Sequence, residues 1–305
     1  MATGGMDTSR SYYPTLYMLN QKLNLGCGTT FVNSDNWINF DYAPTNATVQ
    51  QADLLAPLRL ESGSVAVVYT SHFLEHVPRS LVPALLAECF RVLRPGGVIR
   101  LVLPDLEEMC REYLFRREAG EHEKANFVVV EMIDQCVRLV PEGELGQIYQ
   151  RYAADPVRYS QMIDYVRKRN GEDLYPKGRR YINADQLTEE STHCKDWYSK
   201  FFNRLIWRVR AYIARTWLTW SLQCLPPAFR QQNVSLASVG ERHYWLWDLH
   251  QISQVLRSVG FQQIERCQFN TSCIADFPFY PLDTDDEGQP RKGVESMFVE
   301  AIKPS

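Results

Sequence analysis

The chain has 305 residues, of which 45% are hydrophobic and 23% are charged, and its formal net charge is −3. This is the composition of an ordinary globular protein, long enough for one large domain with an insertion or for two domains. The negative charge excludes a nucleic-acid binder that works by bulk positive charge, so we expect no nucleic-acid partner. Composition leaves the oligomeric state open.

Three features of the sequence predict a cytoplasmic protein. Residues 1–7 lack a basic segment followed by an apolar core, so we expect no signal peptide. The eight cysteines form no Cys-x-x-Cys pair and several lie in apolar runs, which favours reduced, buried thiols. Residues 205–225 are apolar enough to suggest a membrane span, but three arginines within them are costly at membrane depth. We predict a partly buried helix there and no stable membrane insertion, with an interfacial membrane helix as the alternative.

Short apolar runs alternate with helical patterns over the first third of the chain, as in a parallel α/β sheet. A helix is predicted over 79–93, where Leu81, Leu85 and Cys89 keep helical spacing, and the glycines at 96–97 follow its end. The predicted strands of this part are 22–25, 37–40, 47–50, 65–69 and 98–103.

The character of the chain changes at about residue 105 and changes back at about 240. Helical patterns dominate in between, as at 125–139 and 203–222, and a helix at 247–259 and strands at 262–269 and 296–302 follow. We therefore predict an α/β fold: a seven-stranded, doubly wound, Rossmann-like sheet with a helical cap inserted after strand 5. Residues 1–105 and 240–305 would form the sheet domain, and 106–239 the insertion.

A glycine-containing turn follows the first predicted strand, in the sequence Asn24-Leu25-Gly26-Cys27-Gly28. Glycines there let the backbone approach a ligand that binds at the carboxyl ends of the strands. Asp41, followed by Tyr42, ends the second strand and is placed to accept hydrogen bonds from ribose hydroxyls. Asp53, followed by Leu54, ends the third and is placed to accept one from an adenine amino group.

A nicotinamide-dependent oxidoreductase is the alternative for such a turn. Its fingerprint is Gly-x-Gly-x-x-Gly, in which the third glycine lets the helix pack on the strand. Phe31 occupies that third position here, which argues against this alternative.

In this order, the motifs resemble those of the class I methyltransferases, which use S-adenosylmethionine. The resemblance covers residues 20–105 and 245–305 and implies that 106–239 holds the methyl acceptor. Two features depart from the family pattern: Asn24 replaces an acidic residue, and the short interval between Gly28 and Asp41 implies a short or unwound first helix. The matching segments are Leu23–Gly28, Phe40-Asp41, Ala52-Asp53-Leu54, Ser71–Val77 and Leu93–Gly97. A further likeness, at Arg242–Asp248 and Asp276–Phe279, is to methyltransferases of glycan and natural-product pathways.

The segment His72-x-x-Glu75-His76 has the letters of an inverted zinc-protease motif. That motif needs a long helix and a further ligand, whereas this segment lies at a strand-to-helix turn, which argues against zinc hydrolysis. The same segment resembles a divalent-metal site in some quinone-pathway methyltransferases, where an acid stands at the first position. His72 stands there in this chain, so we predict no metal, with metal dependence as the alternative. We expect Ser71 and His72 to contact the cofactor and His72 to act as general base, with a hydrogen-bonded structural histidine as the alternative. Glu75 and His76 would satisfy the turn or line the floor of the cleft.

His243 and Tyr244 re-enter the sheet domain directly after the insertion, and we predict that they close the acceptor pocket; core packing is the alternative. The expected acceptor is a small molecule, a glycan or a peptide, methylated on oxygen or nitrogen. Residues 151–215 carry 14 basic and 8 acidic residues, which favours an anionic acceptor over mere solvent-facing charge. A silent cofactor-binding scaffold is the alternative function, but it would not need Gly26, Gly28, Asp41 and Asp53.

Overall fold

The computed structural model describes residues 20–44, 46–175, 221, 224–226, 234 and 240–305. These residues form a seven-stranded sheet of order β3-β2-β1-β4-β5-β7-β6, which confirms the predicted fold. The strands are β1 (Gln21–Leu25), β2 (Trp37–Asp41), β3 (Val49–Gln51), β4 (Val65–Ser71), β5 (Leu93–Pro104), β6 (Gln262–Cys267) and β7 (Ser296–Ile302).

The pairing of the strands places the ends of β1, β2, β4 and β5 at one edge of the sheet. β1 pairs in parallel with β2 and β4, and β4 pairs in parallel with β5. β7 runs antiparallel to both β5 and β6. Since ligands of open α/β sheets bind beyond the carboxyl ends of parallel strands, this edge is where a site is expected.

The connection between β1 and β2 is built without a helix. Residues 26–36 form turns, and the Asn24 amide in β1 donates to the Thr30 carbonyl oxygen (3.0 Å) and to Asn39 Oδ1 (3.1 Å). The Asn39 amide in turn donates to the Val32 carbonyl oxygen at 2.9 Å. Two buried amides therefore hold the loop that the sequence predicted to be short or unwound.

Helices cover one face of the sheet, and mainly irregular chain covers the other. The first face packs against α1 (Val82–Val92) and α6 (Leu249–Val259) through residues such as Leu86 and Ile252. On the opposite face, Ile274, Phe277 and Leu282 pack on Tyr69 of the sheet; the last of them ends the single-turn helix α7 (Phe279–Leu282). Within the part of the chain that the structure describes, residues 269–284 therefore cover this second face of the sheet.

Four helices follow β5, and the last three of them form a small core of their own. Asp105 caps the first of the four by accepting a hydrogen bond from the Glu107 amide, and this core contains Phe127, Ile163 and Val166. Backbone hydrogen bonds from Val294 and Glu295 to Lys168 and Arg169 attach the last helix to the start of β7. The helices are α2 (Leu106–Glu118), α3 (His122–Val137), α4 (Gly143–Ala154) and α5 (Ser160–Asn170).

The predicted helix at 203–222 and most of the stretch 205–225 lie outside the described residues, as does most of the insertion after residue 175. Among the helices that are described, none has both the length and the apolar content needed to span a membrane. The division into domains at residues 105 and 240 stays a prediction. Among the described residues, Cys27, Cys89, Cys110, Cys136, Cys267 and Cys273 form no disulfide bond.

Arg100 in β5 carries a buried charge that ties the sheet to the segments covering it. Its side chain is fully buried, with Nε 2.8 Å from Asp283 Oδ2 and Nη1 2.7 Å from Glu300 Oε1. The guanidinium also donates to the carbonyl oxygens of Gln268 and Thr271. These partners come from β7 and from two loops, so one side chain fixes three segments.

Replacing Arg100 with methionine should lower the free energy of unfolding by about 3–5 kcal/mol, because Asp283 and Glu300 would be left as unpaired buried charges. Chemical denaturation followed by circular dichroism measures the change. Arg111→Met is the matched control, since the Arg111 and Glu107 side chains are 77% and 50% exposed and such pairs contribute about 0.3–0.5 kcal/mol. Equal losses in the two variants would contradict the role given to Arg100.

Candidate functional site

A cleft of about 740 Å³ lies between the carboxyl edge of the sheet and helices α3–α5. Its sheet side is formed by residues that follow β1 and β4, and its opposite side by the helices and the loop before β7. The sheet side includes Asn24, Gly26, Cys27, Gly28, Ser71, His72, Glu75 and His76. The opposite side includes Gln135, Arg138, Tyr149, Asn170, His243, Arg291, Lys292 and Glu295.

The glycine turn has the geometry that its sequence suggested. Gly26 and Gly28 both have positive φ angles, of 65° and 54°. A Cβ atom added to Gly26 would lie 2.7 Å from the Phe73 ring, so only glycine fits between the turn and the segment after β4. The Gly28 amide donates to Asp41 Oδ2 at 2.8 Å, which fixes the turn against the end of β2.

The two acidic residues of the predicted cofactor site lie at the same edge of the sheet, beside the cleft rather than in its wall. Asp41 is partly exposed and Oδ1 also accepts from the Ala43 amide at 2.9 Å, while Tyr42 is 59% exposed. Asp53 is exposed, and its Oδ1 accepts from the Leu55 amide at 3.0 Å. Both carboxylates keep acceptor capacity toward solvent, as ribose and adenine contacts would require.

His72 lies at the end of β4 in a strained conformation, with a φ angle of 50°. Ser296 Oγ donates to the Lys292 carbonyl oxygen (3.1 Å) and lies 2.9 Å from His72 Nε2, so Nε2 carries the proton and Nδ1 the lone pair. Burial lowers the pKa of His72 well below its ordinary value, and the charge of Lys292 adds to this. A neutral imidazole is the form that can accept a proton.

Glu75 is fully buried in the wall of the cleft, and neither carboxylate oxygen has a hydrogen-bond partner. Its Oε1 lies 3.3 Å from His72 Nδ1. Burial raises the pKa of Glu75 to about 8. We expected the side chain of Glu75 to satisfy the turn or to line the cleft. The backbone of Glu75 makes the local hydrogen bond instead, because its carbonyl oxygen accepts from the amide of Tyr244 at 2.6 Å.

His76 and His243 meet edge to face, with ring centroids 4.9 Å apart. Burial lowers the pKa values of both, that of His243 to about 3. His76 Nδ1 lies 3.0 Å from the Arg242 carbonyl oxygen, and the His243 amide donates to the Gln135 carbonyl oxygen at 2.9 Å. The segment after the insertion is thus held between α3 and the turn at Leu74–His76.

Besides Asp41, Tyr42 and Asp53, three further predicted residues do not reach the wall of the cleft. Tyr244 is 52% exposed beside Arg242, so the structure does not bring it to His72. The side chains of Leu25 and Leu54 are buried in the core. The weaker candidates His193 and Tyr198, and the arginines at 179 and 180, lie outside the described residues.

The sequence did not single out the polar side chains of the opposite wall. Arg291, Lys292 and Glu295 precede β7 in a loop with no recognisable motif, and Tyr149 and Asn170 read as ordinary surface positions of helices. Arg291 Nε donates to the Leu282 carbonyl oxygen and Nη2 to Ser71 Oγ, at 2.8 and 3.3 Å. Only the contact between sheet and helices reveals that these residues share a site.

Residues 23–101 match the family described as "Methyltransferase domain", and this range contains β1 to β5, the glycine turn and His72. The chain carries a class I methyltransferase domain. Its cofactor is S-adenosylmethionine. The match covers about a quarter of the chain. A search of curated proteins found no match.

Solved structures with a similar fold are methyltransferases of low sequence identity. An S-adenosylmethionine-dependent methyltransferase from Mesorhizobium loti is 21% identical over 29% of this chain and 49% of its own, with a TM-score of 0.24. One from Archaeoglobus fulgidus is 11% identical over 94% and 89%, with a TM-score of 0.33. Phosphoethanolamine N-methyltransferase 1 from Haemonchus contortus is 18% identical over 30% and 24%, with a TM-score of 0.26.

The matched region spans about half the length of the Mesorhizobium loti protein. All three TM-scores are low, and no acceptor follows from these structures. The specificity of the site must therefore be argued from the cleft of this chain itself.

Replacing Asp41 with alanine should weaken the binding of S-adenosylhomocysteine by about 1–3 kcal/mol, because charge-assisted hydrogen bonds to the ribose are lost along with the anchor of Gly28. Titration calorimetry measures this against a wild-type affinity expected in the micromolar range. Asp35→Ala is the matched control, because Asp35 is exposed in the loop before β2, and this variant should bind like wild type. Binding of NADH in place of S-adenosylhomocysteine would contradict the assignment of the turn.

Proposed function

We propose that the whole chain is an S-adenosylmethionine-dependent methyltransferase that methylates an oxygen or nitrogen of a polar small molecule, glycan or peptide held between the sheet and helices α3–α5. The observation that carries this proposal is the common cleft, in which the glycine turn and His72 face polar side chains of the helices. We further propose a cytoplasmic setting, in line with the six cysteines named above, which form no disulfide bond.

In this proposal the sheet holds the sulfonium cofactor over the turn at Gly26–Gly28, with Asp41 on the ribose and Asp53 on the adenine. The acceptor enters from the side of the helices, so that its nucleophilic atom, the methyl group and the sulfur fall in line. Holding two reactants in such an alignment contributes up to about 7–11 kcal/mol in favourable cases. The walls of the cleft also exclude water from the positive sulfur.

His72 is proposed as the general base. Its Nδ1 carries the lone pair that would take the proton of the acceptor. Glu75 Oε1 lies 3.3 Å from this nitrogen and, in its ionised form, would stabilise the resulting imidazolium. Nε2 remains bonded to Ser296, which fixes the ring. The strained backbone of His72 is the second support, because such conformations cluster where a side chain must be aimed.

His72→Gln should lower kcat by about 10²- to 10⁴-fold, the usual contribution of a general base. The measurement is release of S-adenosylhomocysteine with an acceptor found by screening glycans, peptides and small polar metabolites. His122→Ala, at the start of α3 and away from the cleft, is the matched control. If His72→Gln keeps wild-type kcat, the histidine has only a structural role.

An anionic group on the acceptor is a further part of the proposal. Residues 151–215 carry a net charge of +6, and basic residues near a cleft raise the local concentration of an anion. Within the described residues, Arg138, Arg291 and Lys292 supply positive charge to the cleft itself.

Replacing Arg179 and Arg180 together by alanine should raise the acceptor KM, with a strong dependence on salt, and leave cofactor affinity unchanged. Steady-state kinetics at two ionic strengths measures this once an acceptor is known. The control is Arg111→Ala together with Arg117→Ala on α2, which removes the same charge elsewhere. Wild-type kinetics of the Arg179/Arg180 double variant at low salt would contradict the electrostatic role.

A further inference from the structure

Glu75, His76 and His243 bring three metal-binding side chains to one point of the cleft wall. One carboxylate oxygen and one ring nitrogen from each histidine lie within 4.8 Å of one another. Glu75 and His243 are 0% and 5% exposed, so these groups are held inside the protein rather than in solvent. The sequence predicted no metal because residues 72–76 offered no long helix and no ligand from elsewhere; the fold supplies His243 from a segment 167 positions beyond His76.

The donor atoms of this cluster lack the partners that buried polar groups ordinarily have. Both oxygens of Glu75 and Nδ1 of His243 are buried without a hydrogen-bond partner. Leaving such groups unsatisfied is costly for folding, and more so when they are charged. Three unsatisfied atoms in one place indicate that something outside the chain completes them.

The third side chain is already oriented as metal-bound histidines usually are. A carbonyl oxygen only accepts, so the contact between His76 Nδ1 and the Arg242 carbonyl oxygen places the proton on Nδ1. The lone pair of neutral His76 is then on Nε2. A ligand histidine characteristically donates its other ring N–H to a carbonyl or carboxylate in this way, which fixes both tautomer and ring orientation.

We propose that Glu75, His76 and His243 bind a divalent transition-metal ion of the zinc class. Two imidazoles and one carboxylate are a donor set that such ions accept, with a fourth position left open. Ligands of a tetrahedral zinc ion lie about 3.4 Å apart, given bonds of about 2.0–2.2 Å. The three atoms lie within 4.8 Å of one another, so they need to approach by up to about 1.4 Å.

The surroundings of the cluster hold both signs of charge. Lys292 lines the same cleft and repels a cation, whereas Glu172 and Glu295 line it as well and offset that charge. The backbone around the cluster is fixed, because the amides of Tyr244 and Trp245 both point at the Glu75 carbonyl oxygen. The open position of the ion would face the cleft, where it could polarise an acceptor oxygen; only this role rests on the proposed function.

The test uses the full chain, dialysed against a chelator and titrated with Co²⁺ as a spectroscopic probe and Zn²⁺ as competitor. Wild type should bind one equivalent of Co²⁺ with visible d–d absorption, displaced by one equivalent of Zn²⁺. Glu75→Gln, which keeps the shape of the side chain, and His243→Ala should each weaken binding by more than about tenfold. His250→Ala removes an exposed histidine of α6 and should bind like wild type.

Thermal melting by circular dichroism establishes that each variant is folded. The site is overturned if wild type binds no stoichiometric Co²⁺, which would leave a proton shared between Glu75 and His72, or if Glu75→Gln and His243→Ala both bind like wild type. Calorimetry with S-adenosylhomocysteine on metal-free protein keeps the two proposals apart. Cofactor binding without Co²⁺ binding removes only the metal site, and the reverse removes only the methyltransferase assignment of the cleft.

Discussion

One carbonyl oxygen, that of Glu75, holds together the two halves of the cleft. It accepts from the amide of Tyr244 at 2.6 Å, and the amide of Trp245 lies 3.4 Å away. His76 Nδ1 contacts the Arg242 carbonyl oxygen, and the Leu106 amide donates to that of Trp247. The chain returning from the insertion is therefore bonded across the ends of β4 and β5. Because of this, residues of the sheet side and residues of the helices line the same cleft.

Buried ionisable side chains are concentrated around this connection. Glu75 is buried where β4 ends, and Glu295 is buried where β7 begins, beside the last helix of the α2–α5 group. Burial raises the pKa of both carboxyls and lowers that of Lys292, so each group is held away from its preferred charged state. Unsatisfied charge of this kind is costly for folding and is typically found where a ligand completes it.

The sequence predicted the sheet well and the acceptor side poorly, for physical reasons. A buried parallel strand such as Val65–Ser71 is a continuous apolar run that can be recognised in the sequence. The glycines and acidic residues that follow such strands can be recognised from their residue types alone. The face that a helix turns toward a cleft carries no such signal: Tyr149 and Asn170 are polar residues on amphipathic helices. His243 was recognised as a candidate, but its distance from Glu75 and His76 depends on pairing between segments far apart in the chain. Tyr244, its neighbour, is 52% exposed, whereas His243 is buried.

The two departures from the family pattern, Asn24 and the missing first helix, are one feature. The Asn24 amide donates to two acceptors at once, the Thr30 carbonyl oxygen and Asn39 Oδ1. An ionised carboxylate only accepts, so an acidic residue at position 24 would place its oxygens against two other oxygens inside the protein. A helix after β1 would satisfy its backbone by its own hydrogen bonds, so it would be compatible with an acidic residue at position 24. The compact turns of residues 26–36 are not compatible with one. The loop between Gly28 and Asp41 is too short for a full helix, and it is held by side-chain amides instead. Asn24 lines the same cleft as Ser71 and the glycine turn, and we propose that these groups make the cofactor contacts that an acid at position 24 would make.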